Sequence, residues 1–279
     1  NTAMTALTLQ HITGGRFSLG LGASGPQVVE GLHGVPFARP LTRMRETIEV
    51  VRMAEAGERL AIDGEQIRLP LPGGEGKALR LALRPPTGSD HPPLPIYIAS
   101  LSPRMLALTG EVADGWLGTS FVPEGAASSF GYLTAGAQRA GRSLTDLDLC
   151  QGAEVAFARD EADLAAMVDT RRAGLAFSLG GMGSADTNFY NDAYARQGFA
   201  EVAAESQRLW LAGDRAAAAS VIPDEMVLAT TLLGTEEMVA DRLRVWHDVG
   251  ITHVRLYPAG DTMEERLETL GRALDLIPA

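Results

Sequence analysis

Residues 16–27, RFSLGLGASGPQ, end a short apolar and aromatic run in Gly20-Leu21-Gly22-Ala23-Ser24-Gly25, a G-x-G-x-x-G spacing. Glycines after a strand let the backbone approach a pyrophosphate closely, with helix amides behind it. A Rossmann dinucleotide site also needs a long helix opening at the third glycine and an acidic residue about 20 residues on, at a second strand. Here Gly31, Gly34 and Pro36 hold any following helix to about one turn. The first long helical pattern, with Leu41, Met44, Ile48 and Val51 on one face, comes later, and no strand follows it at the required distance. The turn reads instead as a strand-to-loop corner at which a ligand can sit.

A second corner lies in IYIASLSPRM, residues 96–105. A strand runs into Ser100-Leu101-Ser102, and Pro103 stands at the favoured first helical position with Ser102 as its cap. Free amides and the positive end of a helix dipole then face outward beside Arg104, an arrangement suited to phosphate or another anion. An ordinary capped helix has the same sequence.

The five histidines, His11, His33, His91, His247 and His253, show no H-E-x-x-H or H-x-H spacing and no cysteine partners, so no metal site is expected. His33 follows the glycine corner closely enough to act there as an acid, base or hydrogen-bond donor, although a histidine so placed also serves to pin its loop. His253, within the last strand, is expected to pack. A hydrolase would need a G-x-S-x-G elbow, and Gly22-Ala23-Ser24-Gly25 lacks that spacing. Asp114 precedes its strand, on the amino side of a parallel sheet, so a structural role is expected. Cys150 reads as a small buried hydrophobe.

Elements that position these residues follow from periodicity and turn signals. Strands are expected at 16–21, 94–99, 115–119, 148–157 and 252–257, and helices at 40–57, 103–113, 123–141, 236–249 and 263–276. Alternation of helices with near-continuous apolar strands indicates a parallel sheet with helices outside. Two segments interrupt it: a Gly/Pro-rich excursion at 63–93 with two short strands, and a mostly helical stretch at 160–225 broken at LGGMGS, 179–184. Thr235 and Gly250 mark the ends of one helix, and Asp261 with Glu264 forms an expected capping box for the last. The opening NTAMTALTLQHITGG reads as the second half of a helix closing at Gly14-Gly15, so the chain is expected to begin within a domain.

The 279 residues allow one large α/β domain, and 46% hydrophobic with 21% charged residues, 31 glycines and 15 prolines fits it. A net charge of -11 argues against a nucleic-acid partner. A single cysteine excludes an intrachain disulfide, and no apolar run of membrane-spanning length occurs, so a cytoplasmic protein without a membrane partner is expected.

The segments LTLQHITGGRFSLGLGASGPQVVEGLHGVPFARPLTRMRETIEVVR, LPLPGGEGKALRL, PIYIASLSPRMLALTGEVADGWL, GGMGSADTNFYN and GITHVRLYP together resemble the luciferase-like monooxygenase superfamily, in its coenzyme F420-dependent branch. The resemblance spans residues 1–279 in order and implies a TIM barrel, (β/α)8, as a single domain with insertions near 63–93 and 160–225. The five strands would correspond to the fourth to eighth, so that an amino-terminally truncated barrel lacking its first three βα units is expected, along with self-association as a homodimer through the exposed sheet edge.

What the resemblance implies for the site is partial. Gly22, Ala23, Ser24, Gly25 and Gln27 occupy the corner that contacts the deazaflavin ring and ribityl chain. Ala99, Ser100, Leu101, Ser102 and Pro103 match the corner that holds the cofactor phosphate, with Ser102 departing from the family's glycine. Pro26 stands where sugar-phosphate-oxidising relatives carry a catalytic acid, which weighs against that activity. The implied reaction is hydride transfer between F420 and a small organic substrate. Alternatives are an FMN-dependent monooxygenase on the same scaffold and a non-catalytic homologue.

Overall fold

Strand β1 (Leu19–Gly22) runs parallel to β4 (Ile96–Ala99), with Leu19 opposite Ile96 and Gly22 opposite Ala99, and β5 (Gly115–Leu117) runs parallel along the far side of β4. The computed structural model describes residues 1–83 and 93–277. The chain forms two compact units, one of Asn1–Ser100, Arg104–Leu117 and Tyr132–Leu147, the other of Leu101–Pro103, Gly118–Gly131 and Asp148–Ala279.

In the first unit, one face of β1 and β4 is covered by helices. Pro40 opens α3 (Pro40–Glu55), whose Met44, Ile48 and Val51 recur at helical spacing and join Leu19, Ile96 and Ile98 in one core. Ala3, Ala6 and Leu7 of α1 (Thr2–Ile12) complete this core. Each large side chain so buried contributes about 1.5–3 kcal/mol. Between β1 and α3 stands only the single turn α2 (Pro26–Val29), as the glycines and Pro36 require. Helix α4 (Pro103–Val112) meets α5 (Ala127–Arg139) so closely that a Cβ on Gly110 would fall 2.0 Å from the Leu133 carbonyl oxygen and one on Gly136 1.8 Å from that of Ala107. Only glycine permits that approach.

The excursion after α3 is a hairpin of β2 (Ile62–Asp63) and β3 (Arg68–Leu69), anchored by a buried carboxylate. Glu46 on α3 accepts the backbone N–H groups of Glu65 at 2.8 Å, Gln66 at 2.9 Å and Ile67 at 2.6 Å. From there to residue 83 there is no further strand, and the rest of the expected excursion, His91 included, lies outside the described residues.

Asp114 has the expected structural role. Its carboxylate accepts the Ile96 N–H at 2.7 Å and pairs with Arg52, which also donates to the Leu94 carbonyl at 2.7 Å.

In the second unit, β6 (Asp148–Phe157) is flanked by two parallel partners. Its latter part pairs with β7 (Leu232–Gly234), Val155 opposite Leu232, and Cys150 to Val155 pair with β8 (His253–Pro258). Cys150 is buried, and burial raises its thiol pKa. Six further helices pack around this sheet: α6 (Glu161–Gly180), α7 (Phe189–Tyr194), α8 (Ala200–Leu211), α9 (Arg215–Ser220), α10 (Asp224–Thr230) and α11 (Glu236–Asp248); α12 (Met263–Asp275) follows β8. The expected break at 179–184 is present, and Asn188 with Asn191 explains it. Asn188 caps α7 through its side-chain oxygen and donates to the Ser178 and Leu179 carbonyls, while Asn191 donates to those of Leu179 and Ala203.

Four local expectations are corrected. Strand β7 was not anticipated, because Leu232–Gly234 is too short to show alternation. The helix expected at 123–141 is a tight turn at Pro123–Gly125 followed by α5 from Ala127. The last capping box is Thr262 with Glu265, one residue later than expected. His253 is exposed rather than packed, its Nδ1 2.9 Å from the Thr252 hydroxyl, because it sits on the outward face of β8.

Candidate functional site

Side chains alternate across a strand, so the register separates two rows in the first unit. Leu19, Leu21, Ile96, Ile98 and Trp116 point to the helices, whereas Gly20, Gly22, Tyr97, Ala99, Gly115 and Leu117 form the opposite face. That second face carries only glycine or alanine at four of these six positions. Tyr97 lies across Gly115, where a Cβ would fall 2.3 Å from the tyrosine ring, and a Cβ on Gly20 would meet Leu117 at 3.1 Å. Gly22 and Ala99, at the carboxyl ends of neighbouring strands, are exposed.

The expected site residues divide along this alternation. Gly22 and Ala99 share the open face. Ala23 turns back to pack against the helix-side core. Ser24 is exposed at φ 57, a left-handed conformation that is uncommon outside glycine, and it turns the chain out of β1. Gly25 begins α2, and the Gln27 side chain folds back over it, 3.1 Å from where a Cβ would stand.

Ser100 also faces the helices. It is buried, its hydroxyl is hydrogen-bonded to that of Thr109 at 2.9 Å, and its carbonyl accepts the Trp116 indole N–H at 3.0 Å. Thr109 in turn donates to the Met105 carbonyl at 2.8 Å, so the Ser100 hydroxyl is committed to holding the start of α4. In the second unit Leu101, Ser102 and Pro103 are half-buried, and the Leu101 carbonyl accepts from Arg196 at 2.7 Å. Tyr97 and Arg196 are side chains that the motif spacing does not single out.

No hydrogen bond joins His33 to any of these among the described residues. It is exposed on the turn after α2, and its ring makes no hydrogen bond among the described residues. A cavity of about 140 Å³ opens between the end of β1 and the start of α3, lined by Leu21, Ala23, Phe37, Met44 and Thr47 among others. It is smaller than the ~300–1,000 Å³ typical of drug-sized ligand sites, so a large cofactor does not fit there. Among the described residues no three His, Cys, Asp or Glu side chains group as metal ligands, and no helix is long and apolar enough to cross a membrane.

Parallel strands with helices on one face and a cleared face at their carboxyl ends define an α/β enzyme scaffold in which strand-end loops carry the chemistry. The chain belongs to the luciferase-like monooxygenase family, whose model matches residues 1–253. It is 40% identical over 253 residues to a Mycobacterium tuberculosis protein that bears the name of a coenzyme F420-dependent oxidoreductase, covering 90% of this chain and 72% of that relative. It is 28% identical over 278 residues to 5,10-methylenetetrahydromethanopterin reductase of Archaeoglobus fulgidus, covering 99% of this chain and 77% of the reductase. Among solved structures, the coenzyme F420-dependent tetrahydromethanopterin reductase from Methanopyrus kandleri superposes with a TM-score of 0.69 at 22% identity, over 99% of this chain and 77% of that one. The EDTA monooxygenase from Chelativorans superposes with a TM-score of 0.61 at 17% identity, over 99% and 70%. These likenesses establish the luciferase-like fold.

Proposed function

We propose that this protein is an oxidoreductase that transfers a hydride between the deazaflavin coenzyme F420 and a small organic substrate. The observation that carries the reading is the cleared face of β1, β4 and β5. Glycine at 20, 22 and 115 with alanine at 99 leaves Tyr97 and Leu117 as the large side chains on this face of the three strands, and the strand ends at Gly22 and Ala99 are open where a planar tricycle needs room. The relative at 40% identity, with its F420-dependent name, supports the choice of cofactor.

When bound, the deazaflavin supplies the ring carbon that gives or accepts the hydride. The chain's own part is to bind and orient. Gly22 and Ala99 would let the ring approach the strand ends, and Ser24, Gly25 and Gln27 would border it. Taken by itself, the Leu101–Pro103 corner of the second unit offers the backbone N–H groups of Leu101 and Ser102, with the positive end of the α4 dipole, to a phosphate. The Ser100 hydroxyl is taken by Thr109, so it would contribute by fixing this corner rather than by touching the anion. His33, exposed on the turn after α2, has no hydrogen-bond partner among the described residues that would fix its ring for an acid or base role.

An anaerobic titration with F420, followed by deazaflavin fluorescence, tests the reading. Saturable binding is expected, with a reduced complex that is stable to oxygen. Binding of FMN in preference, with rapid reoxidation of the reduced complex by oxygen, would replace the reading with a flavin monooxygenase. Binding of neither cofactor would leave a non-catalytic homologue.

A further inference from the structure

Between α7 and α8 the helix does not continue regularly. Ala195–Phe199 is a kink between two helices, in which Gln197 at φ -98, ψ 15 and Gly198 at φ 103 both leave the helical region. Glycine supplies the positive φ that such a kink needs, and the break turns the neighbouring side chains off the regular helical face. Here it turns two.

Gln197 is buried, and its amide is fully used. Its nitrogen donates to the Ser120 carbonyl at 2.7 Å and the Ala193 carbonyl at 2.8 Å, and its oxygen accepts the Val122 N–H at 2.8 Å. Ser120 is itself left-handed at φ 49, and the buried Tyr194 hydroxyl, its pKa pushed up to about 12 by burial, is hydrogen-bonded to it. Gly125 accommodates Gln197 closely, since a Cβ there would fall 2.5 Å from that of the glutamine. The adjacent Arg196 donates to the Leu101 carbonyl at 2.7 Å. Consecutive side chains of one irregular turn therefore hold the segments that follow β4 and β5 in sequence.

We infer that this kink is a latch, in which Arg196 positions the Leu101–Pro103 corner and Gln197 positions Ser120–Val122. Neither is a catalytic residue; each acts through the backbone it holds. The consequence for ligand binding rests on the proposed reading of the corner as the phosphate-holding site. A carbonyl tied at Leu101 fixes the peptide planes that follow, and hence the direction in which the amides before α4 point. Released, the corner samples orientations that do not converge on an anion, and a displacement of about 1 Å at such a corner costs a positioned interaction much of its value.

The test uses the full chain with Arg196→Ala and Arg196→Lys, and two readouts. Backbone hydrogen exchange should accelerate at the amides of Leu101, Ser102 and Arg104 in Arg196→Ala, with α6 and β6 unchanged, and recover in part in Arg196→Lys, which retains one donor. Affinity for F420 should fall about tenfold in Arg196→Ala, whereas affinity for the same deazaflavin chromophore without its phosphate-bearing tail should stay as in the unsubstituted protein. Unchanged exchange at these amides overturns the latch. Equal loss for both ligands overturns its role at the phosphate corner and leaves Arg196 a general structural residue. If the unsubstituted protein binds neither deazaflavin, the proposed function fails, and the exchange result still decides whether the latch exists.

Discussion

The ring of Tyr97 occupies the space that a side chain on Gly115 would need, with a Cβ at position 115 falling 2.3 Å from the ring. The two residues are direct register partners on β4 and β5, on the face turned away from the helices. Gly115→Ala is therefore expected to displace the tyrosine and destabilise the protein by about 1–3 kcal/mol. Tyr97→Ala in that background should recover part of the loss, because the two substitutions remove and create the same clash. A urea double-mutant cycle gives the coupling, and strictly additive losses would refute the contact.

Glu46 anchors the β2–β3 turn through three backbone donors. Glu46→Ala leaves these N–H groups without their buried acceptor and should cost about 2 kcal/mol or more in urea unfolding. Trypsin cleavage after Arg68 should accelerate at the same time. A loss below about 0.5 kcal/mol would mean that water replaces the carboxylate at little cost.

Acid should weaken the first unit through Glu111. Hydrogen bonding from Arg45, with the charges of Arg45 and Arg139, holds its pKa below the ordinary 4.5. The folded state thus binds this proton less readily than the unfolded chain, so the contribution is complete above about 4.5 and disappears as pH falls through the lowered folded value. Arg45→Met should flatten this part of the stability profile. The effect should be modest and diminish with salt, since the Arg45 side chain is 46% exposed. An unchanged acid limb in pH-dependent unfolding would show that the pair contributes nothing.

Asn188 is a helix cap that aspartate cannot replace. Its oxygen caps α7 while its nitrogen donates to two carbonyls. Asn188→Asp retains the cap but turns a buried donor into a charge facing those carbonyls. It should destabilise at neutral pH at least as much as Asn188→Ala, by about 2 kcal/mol or more, although Asn and Asp are near-equivalent at ordinary caps. Thermal unfolding of the two variants checks the order.

The elements with strong periodic or capping signals were legible. The spacing of Leu41, Met44, Ile48 and Val51 gave α3, the apolar run at 148–157 gave β6 with its observed ends, and Gly31, Gly34 and Pro36 gave the one-turn limit on α2. Strand β7 was not legible, because three apolar residues after a helix have no period to read. The glycine corner marked the end of β1. Which of its residues face outward was not readable, because the helix packing decides that, and it turns Ala23 and Ser100 inward beside outward-facing Gly22 and Ala99. Arg196 lies 95 residues from the carbonyl it holds, and no spacing rule joins them.

The period of two in β1 and β4 also divides mutational tolerance. A saturation library scored for resistance to proteolysis should be intolerant at Leu19, Leu21, Ile96 and Ile98, where substitution opens or crowds the core. The same library scored for retained deazaflavin should be intolerant at Gly20, Gly22 and Ala99, where any added side chain stands on the cleared face. Along these strands the two profiles should run one residue out of phase, so that stability and ligand selectivity can be altered by substitutions at adjacent positions.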